Sequence, residues 1–310
     1  MSKRLMIFTF FGLIGASSLI SSPDTLIVKE PAVPLTSGSY RFFHPCWSPD
    51  GMKIAVTSDN YQGLWVMNEH GGNIRQLSDA ERVGYGFAWS SDSREIACRI
   101  ARIIKNRRLS AIQIIDVATG NSRQITDYRN LVGLPLWADN DQKIYFTANH
   151  ELQILSSERK KNPNQERPVM KAPKSEEQII YQSLGRIIVS NLQGTQQTIL
   201  VSPESRFLNM TLSPDQKKIA FEMTDGHIYV MNIDGTELRD LGNGSQPRWS
   251  PAGNRLVYFI AQDDGERIVS SDIYAIKTDG SQKMLLTDTP DRIEMNPDWS
   301  PDGKKIIFDD

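Results

Sequence analysis

The sequence predicts an all-β fold, a six-bladed β-propeller in which strands from both ends of the chain share one blade. The first observation is a repeat: the segment Trp47-Ser48-Pro49-Asp50-Gly51 returns, intact or eroded, five more times. The later copies begin at Trp89, Trp137, Leu212, Trp249 and Trp299. The second observation is that short runs of β-branched, aromatic and apolar residues follow each copy, separated by turns that contain Gly. Four antiparallel strands that recur every ~40 residues are typical of propeller blades.

Within each unit, the repeated segment predicts the turn between the first and second strands. Proline presets φ early in a turn, Asp bonds to backbone amides two residues on, and Gly accepts a positive φ. In the first unit, Lys53 to Ser58, Leu64 to Met67 and Arg75 to Ser78 then supply the second, third and fourth strands. We expect the large apolar tryptophan to anchor each unit against its neighbour.

The repeated W-S-P-D-G turn resembles the TolB-type propeller repeats, which are relatives of the WD-repeat family. The resemblance covers residues 24 to 310. It implies a periplasmic propeller that offers the mouth of its channel to partner proteins, as TolB does in the Tol-Pal system. The sequence departs from TolB in lacking the separate α/β domain that precedes the propeller there, so the resemblance leaves a place in that system open.

The first 23 residues have the build of a secretory signal peptide. Lys3 and Arg4 precede an apolar run from Leu5 to Ile14, and small residues from Gly15 to Ser18 follow. The run is shorter than the roughly 20 residues that span a bilayer. We therefore expect residues 1–23 to be removed on export, residues 24–310 to form the propeller, and the protein to be periplasmic or secreted. An uncleaved anchor and a buried strand are the alternatives for this segment.

The two ends of the chain each carry half a blade. Residues Thr25 to Val28 and Pro34 to Ser37 resemble the third and fourth strands of a unit, while the chain ends at Asp310, after the second strand of its last unit. The two halves complete one sheet, and hydrogen bonds between them then close the array without an open edge.

The interval of 75 residues from Trp137 to Leu212 is the longest between two copies. It contains a run rich in Lys, Glu, Pro and Asn, residues 156–177, whose composition does not favour a packed core. We interpret residues 150–184 as an insertion in the third blade, with a short hairpin of Leu152 to Leu155 and Ile179 to Tyr181 at its base. Together with a lengthened basic hairpin in blade two, the insertion predicts a raised rim on one face. The alternative is that both segments are solvated loops that bind nothing.

The repeat also predicts which residues line the channel on that face. Three positions before each anchor, on the innermost strand, are His44, Gly86, Leu134, Asn209, Gln246 and Asn296. Arginines precede them in five of the connecting loops: Arg41, Arg82, Arg129, Arg206 and Arg292. Arginine forks bind carboxylates through paired hydrogen bonds, which would make the mouth an anion site. The alternative is that nearby Asp and Glu side chains pair with these arginines.

Motifs for catalysis or metal binding are absent from the sequence. The four His lie far apart in the sequence, and there is no H-E-x-x-H segment, G-x-S-x-G elbow or phosphate loop. A net charge of −2 does not favour nucleic acid as a partner. Cys46 and Cys98 are expected to be two buried thiols rather than a disulfide. The sequence thus predicts a monomeric, non-catalytic binding module of the cell envelope, without cofactor or metal, that takes a protein or peptide partner at the channel mouth. A glycan ligand remains an alternative, as does a propeller lyase or hydrolase acting on polysaccharide.

Overall fold

The computed structural model describes residues 5–9, 26, 28, 31–36, 41–130, 132–158, 177–195, 197–200, 206–290 and 292–310. It confirms the six-bladed β-propeller. Five blades are four-stranded antiparallel sheets, and the third blade is divided into two three-stranded sheets. Buried apolar clusters lie between neighbouring sheets, as expected for blades that pack face to face.

In the order of the chain, each complete blade contributes its strands from the channel outwards. Blade one contains β3 (Phe43–Trp47), β4 (Lys53–Thr57), β5 (Leu64–Asn68) and β6 (Arg75–Ser78), with a short 3-10 helix, Asp59–Tyr61, between β4 and β5. Blade two contains β7 (Phe87–Trp89), β8 (Glu95–Ile104), β9 (Arg107–Asp116) and β10 (Ser122–Gln124). Blade four contains β17 (Phe207–Leu212), β18 (Lys218–Met223), β19 (His227–Asn232) and β20 (Arg239–Asn243). Blade five contains β21 (Ser245–Trp249), β22 (Arg255–Asp263), β23 (Ile268–Lys277) and β24 (Met284–Leu285).

The Ser-Pro-Asp-Gly segments form the predicted turns. In blade one, the Ser48 hydroxyl donates to Asp50 Oδ1 at 2.6 Å and accepts from the Lys53 amide at 2.9 Å, and Gly51 has a φ of 71°. Ser213 and Ser300 make the same pair of contacts in their own blades. The turn is therefore stabilised by its own polar side chains before any packing is considered.

The tryptophans join each blade to the one before it. In three blades the indole N–H donates to the carbonyl of the residue that precedes the previous anchor: Trp89 to Cys46, Trp137 to Ala88 and Trp249 to Thr211, at 3.3, 2.9 and 3.2 Å. Four of the anchors, Trp47, Trp89, Trp249 and Trp299, are at most 9% exposed. Trp89 and Trp249 thus bury a large apolar ring and satisfy its one polar atom across the blade interface.

Blade three shows one error in the sequence interpretation. Its first sheet contains β11 (Leu136–Ala138), β12 (Lys143–Ala148) and β13 (Glu151–Ser156), and its second contains β14 (Gln178–Ser183), β15 (Arg186–Asn191) and β16 (Gln197–Ile199). The strands predicted at the base of the insertion exist as β13 and β14, but they do not pair with each other. β13 pairs with β12 and β14 with β15, each over six residues. Most of the charged run, residues 159–176, lies outside the described residues.

Two tight turns explain these pairings. Asn149 and His150, between β12 and β13, both have positive φ, as do Leu184 and Gly185 between β14 and β15. Two-residue loops with two positive φ angles match the twist of antiparallel strands. Each strand therefore pairs with the neighbour directly adjacent in sequence, rather than across the insertion.

The closing blade combines both ends of the chain as predicted, with one correction. Its order is β25 (Met295–Trp299), β26 (Lys305–Asp309), β1 (Leu5–Thr9) and β2 (Val33–Pro34). The third strand is β1, not Thr25 to Val28. β1 pairs with β26 over five residues and buries Leu5 completely. Leu26 and Val28 pack, partly buried, against the core cluster between this blade and blade five.

Two of the hairpins extend well beyond the length of the others. β8 and β9 are ten residues each and are joined by Lys105 and Asn106, which both have positive φ. This is the basic hairpin that the sequence predicts for blade two. The pair β22 and β23 in blade five is similarly long, which the sequence interpretation did not anticipate. Within the described part of the chain, no helix has the length and apolar character of a membrane span.

Candidate functional site

A central cavity of about 540 Å³ lies where the innermost strands meet. All six positions that the repeat register places three residues before the anchors line it: His44, Gly86, Leu134, Asn209, Gln246 and Asn296. Four of these, His44, Asn209, Gln246 and Asn296, have left-handed backbone with φ between 48° and 55°. In each of their strands the pairing register shifts at this point, so the residue forms a β-bulge.

The bulges turn four polar side chains towards the cavity at a cost in backbone strain. A non-glycine residue in this region costs on the order of 1–3 kcal/mol, less for Asn than for a bulkier residue. Bulges of this kind are found where a side chain has to be redirected, often beside binding sites. The same strained position in four blades is a repeated feature of the cavity wall.

Two carboxylates on the second strands hold this wall in place. Glu222 accepts hydrogen bonds from Asn209 Nδ2 at 2.8 Å and from the Gln246 amide at 3.1 Å, and so connects blades four and five. Asp309, which is fully buried, accepts from Asn296 Nδ2 at 2.8 Å. The Asn296 Oδ1 atom is buried and has no hydrogen-bond partner among the described residues. The wall is therefore pre-organised and presents a carbonyl oxygen that a ligand donor can satisfy.

One side of the mouth is aromatic. The ring of Tyr61, from the 3-10 helix, lies 5.3 Å from the His44 ring and 5.0 Å from that of Tyr85, with the two tyrosines edge to face. Burial, then the neighbouring Tyr85 and Asp309, raise the pKa of Tyr61. Tyr85 is 43% exposed, and Leu134, whose side chain lies against the neighbouring Gly86, is 44% exposed. The mouth thus offers apolar and aromatic surface beside a few amide groups, which is the usual composition of ligand-binding pockets.

An acidic group lies deeper, at the junction of the closing blade and blade one. The Asp298 carboxylate accepts from the Trp47 amide at 2.8 Å. Burial is the main cause that raises its pKa from 3.8 to about 6, and the Arg248 guanidinium opposes this. Cys46, beside it, is a free thiol whose pKa is raised by burial and then by Asp298. Cys98 is also a free thiol, and burial raises its pKa to about 12.

Protonation of Asp298 should make the fold more stable under mild acid. Between pH 4 and 6 the unfolded chain has lost this proton and the folded chain keeps it, so the free energy of unfolding falls as the pH rises through this window. The full effect is about 3 kcal/mol for a shift from 3.8 to about 6. Denaturant unfolding of the wild type and Asp298→Asn at pH 4, 5, 6 and 7 measures it. The variant should lose that part of the pH dependence, and parallel curves for the two proteins would contradict the assignment.

The five loop arginines lie outside the lining of the central cavity. Arg41 is 4.0 Å from Asp59 and Arg292 bonds to Asp310. The backbone of Arg129 pairs with that of Ser110, and the Arg206 carbonyl accepts from the Thr224 amide. Arg82 lines a separate, smaller pocket with other residues of blade two. The structure therefore does not gather the five arginines around one funnel.

Several cavity residues were missed by the sequence interpretation. Tyr181 and Gln182 line the cavity from β14, which the sequence assigned to the insertion. Tyr61 and Tyr85 lie in connections between strands, where the repeated motif does not align one unit with the next. Glu222 and Asp309 were within reach of a sequence argument, because both are the fifth residue of a second strand.

In the described part of the chain, no three His, Cys, Asp or Glu side chains are grouped so that they could hold a metal ion. The one His at the cavity, His44, lies against an aromatic ring. The arrangement presents donors, acceptors and aromatic faces, which are the groups used for ligand binding.

Comparison with known proteins agrees with the fold. A family model described as the TolB beta propeller domain matches residues 170–310. A 63-residue stretch is 38% identical to the uncharacterized peptidase YuxL of Bacillus subtilis (strain 168). That match covers 20% of this chain and only 9% of the peptidase.

Two solved structures are similar over nearly the whole chain. Putative TolB from Agrobacterium tumefaciens has a TM-score of 0.59 at 17% identity, with 99% of this chain and 98% of that chain covered. TolB from Acinetobacter baumannii has a TM-score of 0.58 at 16% identity, with 96% of this chain and 66% of that chain covered. At these identities the likeness concerns the fold.

Proposed function

Because this chain is a TolB-like six-bladed β-propeller, we propose that it is a non-catalytic binding module of the cell envelope that holds a protein or peptide partner at the mouth of its channel. One observation carries the proposal: every blade contributes its predicted inner-strand position to a single cavity, and four of these positions are strained bulges that present polar side chains. Strain of this kind persists only where the surrounding structure holds it, and it concentrates at ligand-binding sites.

The chemistry of the mouth favours a polypeptide ligand. Backbone amides of an extended segment need donors and acceptors at intervals, which the ring of Asn and Gln side chains supplies. The exposed Tyr85 and Leu134 offer apolar contact for side chains of that segment. Exposed aromatic residues beside polar groups are frequent hot spots in protein interfaces.

Leu134→Asp should remove partner binding without affecting the fold. The leucine is 44% exposed and lines the cavity, so a carboxylate there places an unpaired charge against any apolar ligand group. The measurement is affinity capture from an envelope extract with the mature protein as bait, followed by titration of the captured partner. We expect at least a tenfold loss of affinity, about 1.4 kcal/mol.

The matched control is Leu238→Asp, at an exposed leucine just before the outer strand of blade four. It introduces the same charge away from the mouth and should keep wild-type affinity. Equal capture by both variants, or loss in the control alone, would place the partner on another surface. Failure of the wild type to retain any protein above background would overturn the proposal itself.

The proposed location in the periplasm or outside the cell rests on the N-terminal segment. Processing after residue 23 would remove β1, although β1 pairs with β26 in the structure. We infer that the segment Thr25 to Val28 then takes its place, because Leu26 and Val28 already contact the core cluster of that blade. The closing sheet would keep its four strands in the processed protein.

A further inference from the structure

A second pocket, of about 250 Å³, lies on blade two beside the channel mouth. Three arginines line it, Arg82, Arg99 and Arg108, together with Tyr85 and Ser110. No carboxylate is among the described residues that line it. We propose that this pocket, defined by Arg82, Arg99 and Arg108 and called here the arginine pocket, binds an oxyanion, a carboxylate or phosphate group carried by the ligand.

The long hairpin of blade two builds the arginine pocket. Arg99 and Ala101 lie on one face of β8, and Arg108 and Ser110 lie on the same face of β9, with Ala101 directly opposite Ser110. Alternate residues of a strand share a face, so this arrangement follows from the register of the pair. Arg108 lies in the part of the hairpin that exceeds the five or six residues of most other blades. The extension therefore supplies the third arginine.

Within the described part of the chain, the three guanidinium groups have no carboxylate partner. None of them forms an ion pair with an acidic side chain in the described part of the chain. Arg99 donates Nη1 to the Val132 carbonyl at 2.6 Å, and its guanidinium lies 4.8 Å from the centre of the Tyr85 ring. These two contacts hold Arg99 in place but leave other N–H donors of its fork available.

The charges around Arg99 also favour a bound anion. Burial lowers the pKa of Arg99. The nearby Tyr85 hydroxyl opposes this shift, and the positive charge of Arg82 adds to it. Positive charges that are held together and partly shielded from water repel each other, and an anion bound between them removes that repulsion. Arginine forks match the planar oxygens of a carboxylate or the face of a phosphate, and such bonds are stronger than neutral ones.

The pocket adjoins the channel mouth, since Tyr85 lines both cavities. A ligand that lies in the mouth can therefore extend one acidic group into the arginine pocket. That the oxyanion belongs to the channel ligand rests on the proposed function. The affinity of the pocket for small oxyanions is independent of the proposed function, because it is measured without any partner.

The experiment is calorimetric titration of the full-length protein with inorganic phosphate and, separately, with succinate, at constant ionic strength with chloride as the reference anion. We expect saturable binding of at least one oxyanion to the wild type. Arg108→Gln should weaken this binding at least tenfold, because it removes a charged fork but leaves an exposed strand position unstrained. Arg82→Gln should also weaken oxyanion binding. Because Arg82 lies outside β9, this variant shows whether the effect of Arg108→Gln is specific to that strand.

Arg107→Gln is the matched control. Arg107 neighbours Arg108 on β9, is equally exposed, and faces the opposite side of the hairpin. The Arg107→Gln variant loses the same charge as Arg108→Gln and should change the affinity for the oxyanion less than twofold. Tighter binding of phosphate or of succinate identifies which oxyanion the pocket prefers. Absence of binding to the wild type, or equal weakening by Arg107→Gln and Arg108→Gln, would overturn the proposal.

These outcomes separate the arginine pocket from the channel partner. Loss of oxyanion binding in Arg108→Gln with normal partner capture assigns the pocket a ligand of its own. Loss of both in Arg108→Gln, with oxyanion binding retained in Leu134→Asp, shows that the partner supplies the acidic group.

Discussion

Trp249→Ala is expected to lower the free energy of unfolding by roughly 3–5 kcal/mol, which is the usual cost of removing a buried Trp or Phe side chain. Trp249 is 9% exposed and packs into the cluster between blades four and five. Truncation leaves a cavity at that interface and also leaves the Thr211 carbonyl without its indole donor. Denaturant unfolding followed by circular dichroism measures the loss.

Two companion variants separate the loss of apolar packing from the loss of the indole hydrogen bond. Trp249→Phe keeps most of the apolar ring and loses the hydrogen bond, so it should cost less, about 1 kcal/mol from the bond plus a small packing loss. Trp137→Ala should cost less than Trp249→Ala, because Trp137 is only partly buried and its turn lacks the Ser-Pro-Asp-Gly residues. A Trp249 ring that soluble quenchers reach freely in the folded protein would contradict the buried anchor.

Removal of the N-terminal strands is expected to destabilise the fold severely. A chain that begins at residue 39 lacks β1, β2 and the segment 25–28, so nothing can cover the edge of β26. Ile306, Ile307 and Phe308 on that strand are fully buried in the complete sheet, and their exposure would cost several kcal/mol in apolar contact. The open edge also invites aggregation. We expect no soluble protein, or one with a greatly lowered melting temperature.

The informative control is a chain that begins at residue 24. We expect it to fold, because we have proposed that Thr25 to Val28 takes the place of β1 beside β26 once residues 1–23 are removed. A chain from residue 39 that is as stable as the one from residue 24 would rule out closure by a shared blade. A chain from residue 24 that fails like the shorter one would show that β1 itself is indispensable and that residues 1–23 are not removed.

Much of the candidate site followed from the repeat alone. Because the anchors set the register, His44, Asn209, Gln246 and Asn296 could be placed on the innermost strands, and all four line the cavity. The repeat does not extend into the connections. It could not place Tyr61 and Tyr85 against His44, nor predict that Arg99 and Arg108 converge with Arg82. Those neighbours come from different strands and loops, and their positions depend on hairpin length and packing.

The sequence by itself determined the properties that are local: the blade period, the Ser-Pro-Asp-Gly turns, the alternation of buried and exposed residues and the shared closing blade. Turn residues act through their own backbone angles and nearest hydrogen bonds, so their effect is readable within a few residues. Tertiary structure decided which strands pair when several can. β13 and β14 took their hairpin neighbours, and β1 took the place predicted for residues 25–28. An open edge accepts any extended segment, and the choice between candidates depends on the apolar surface that each buries against distant blades.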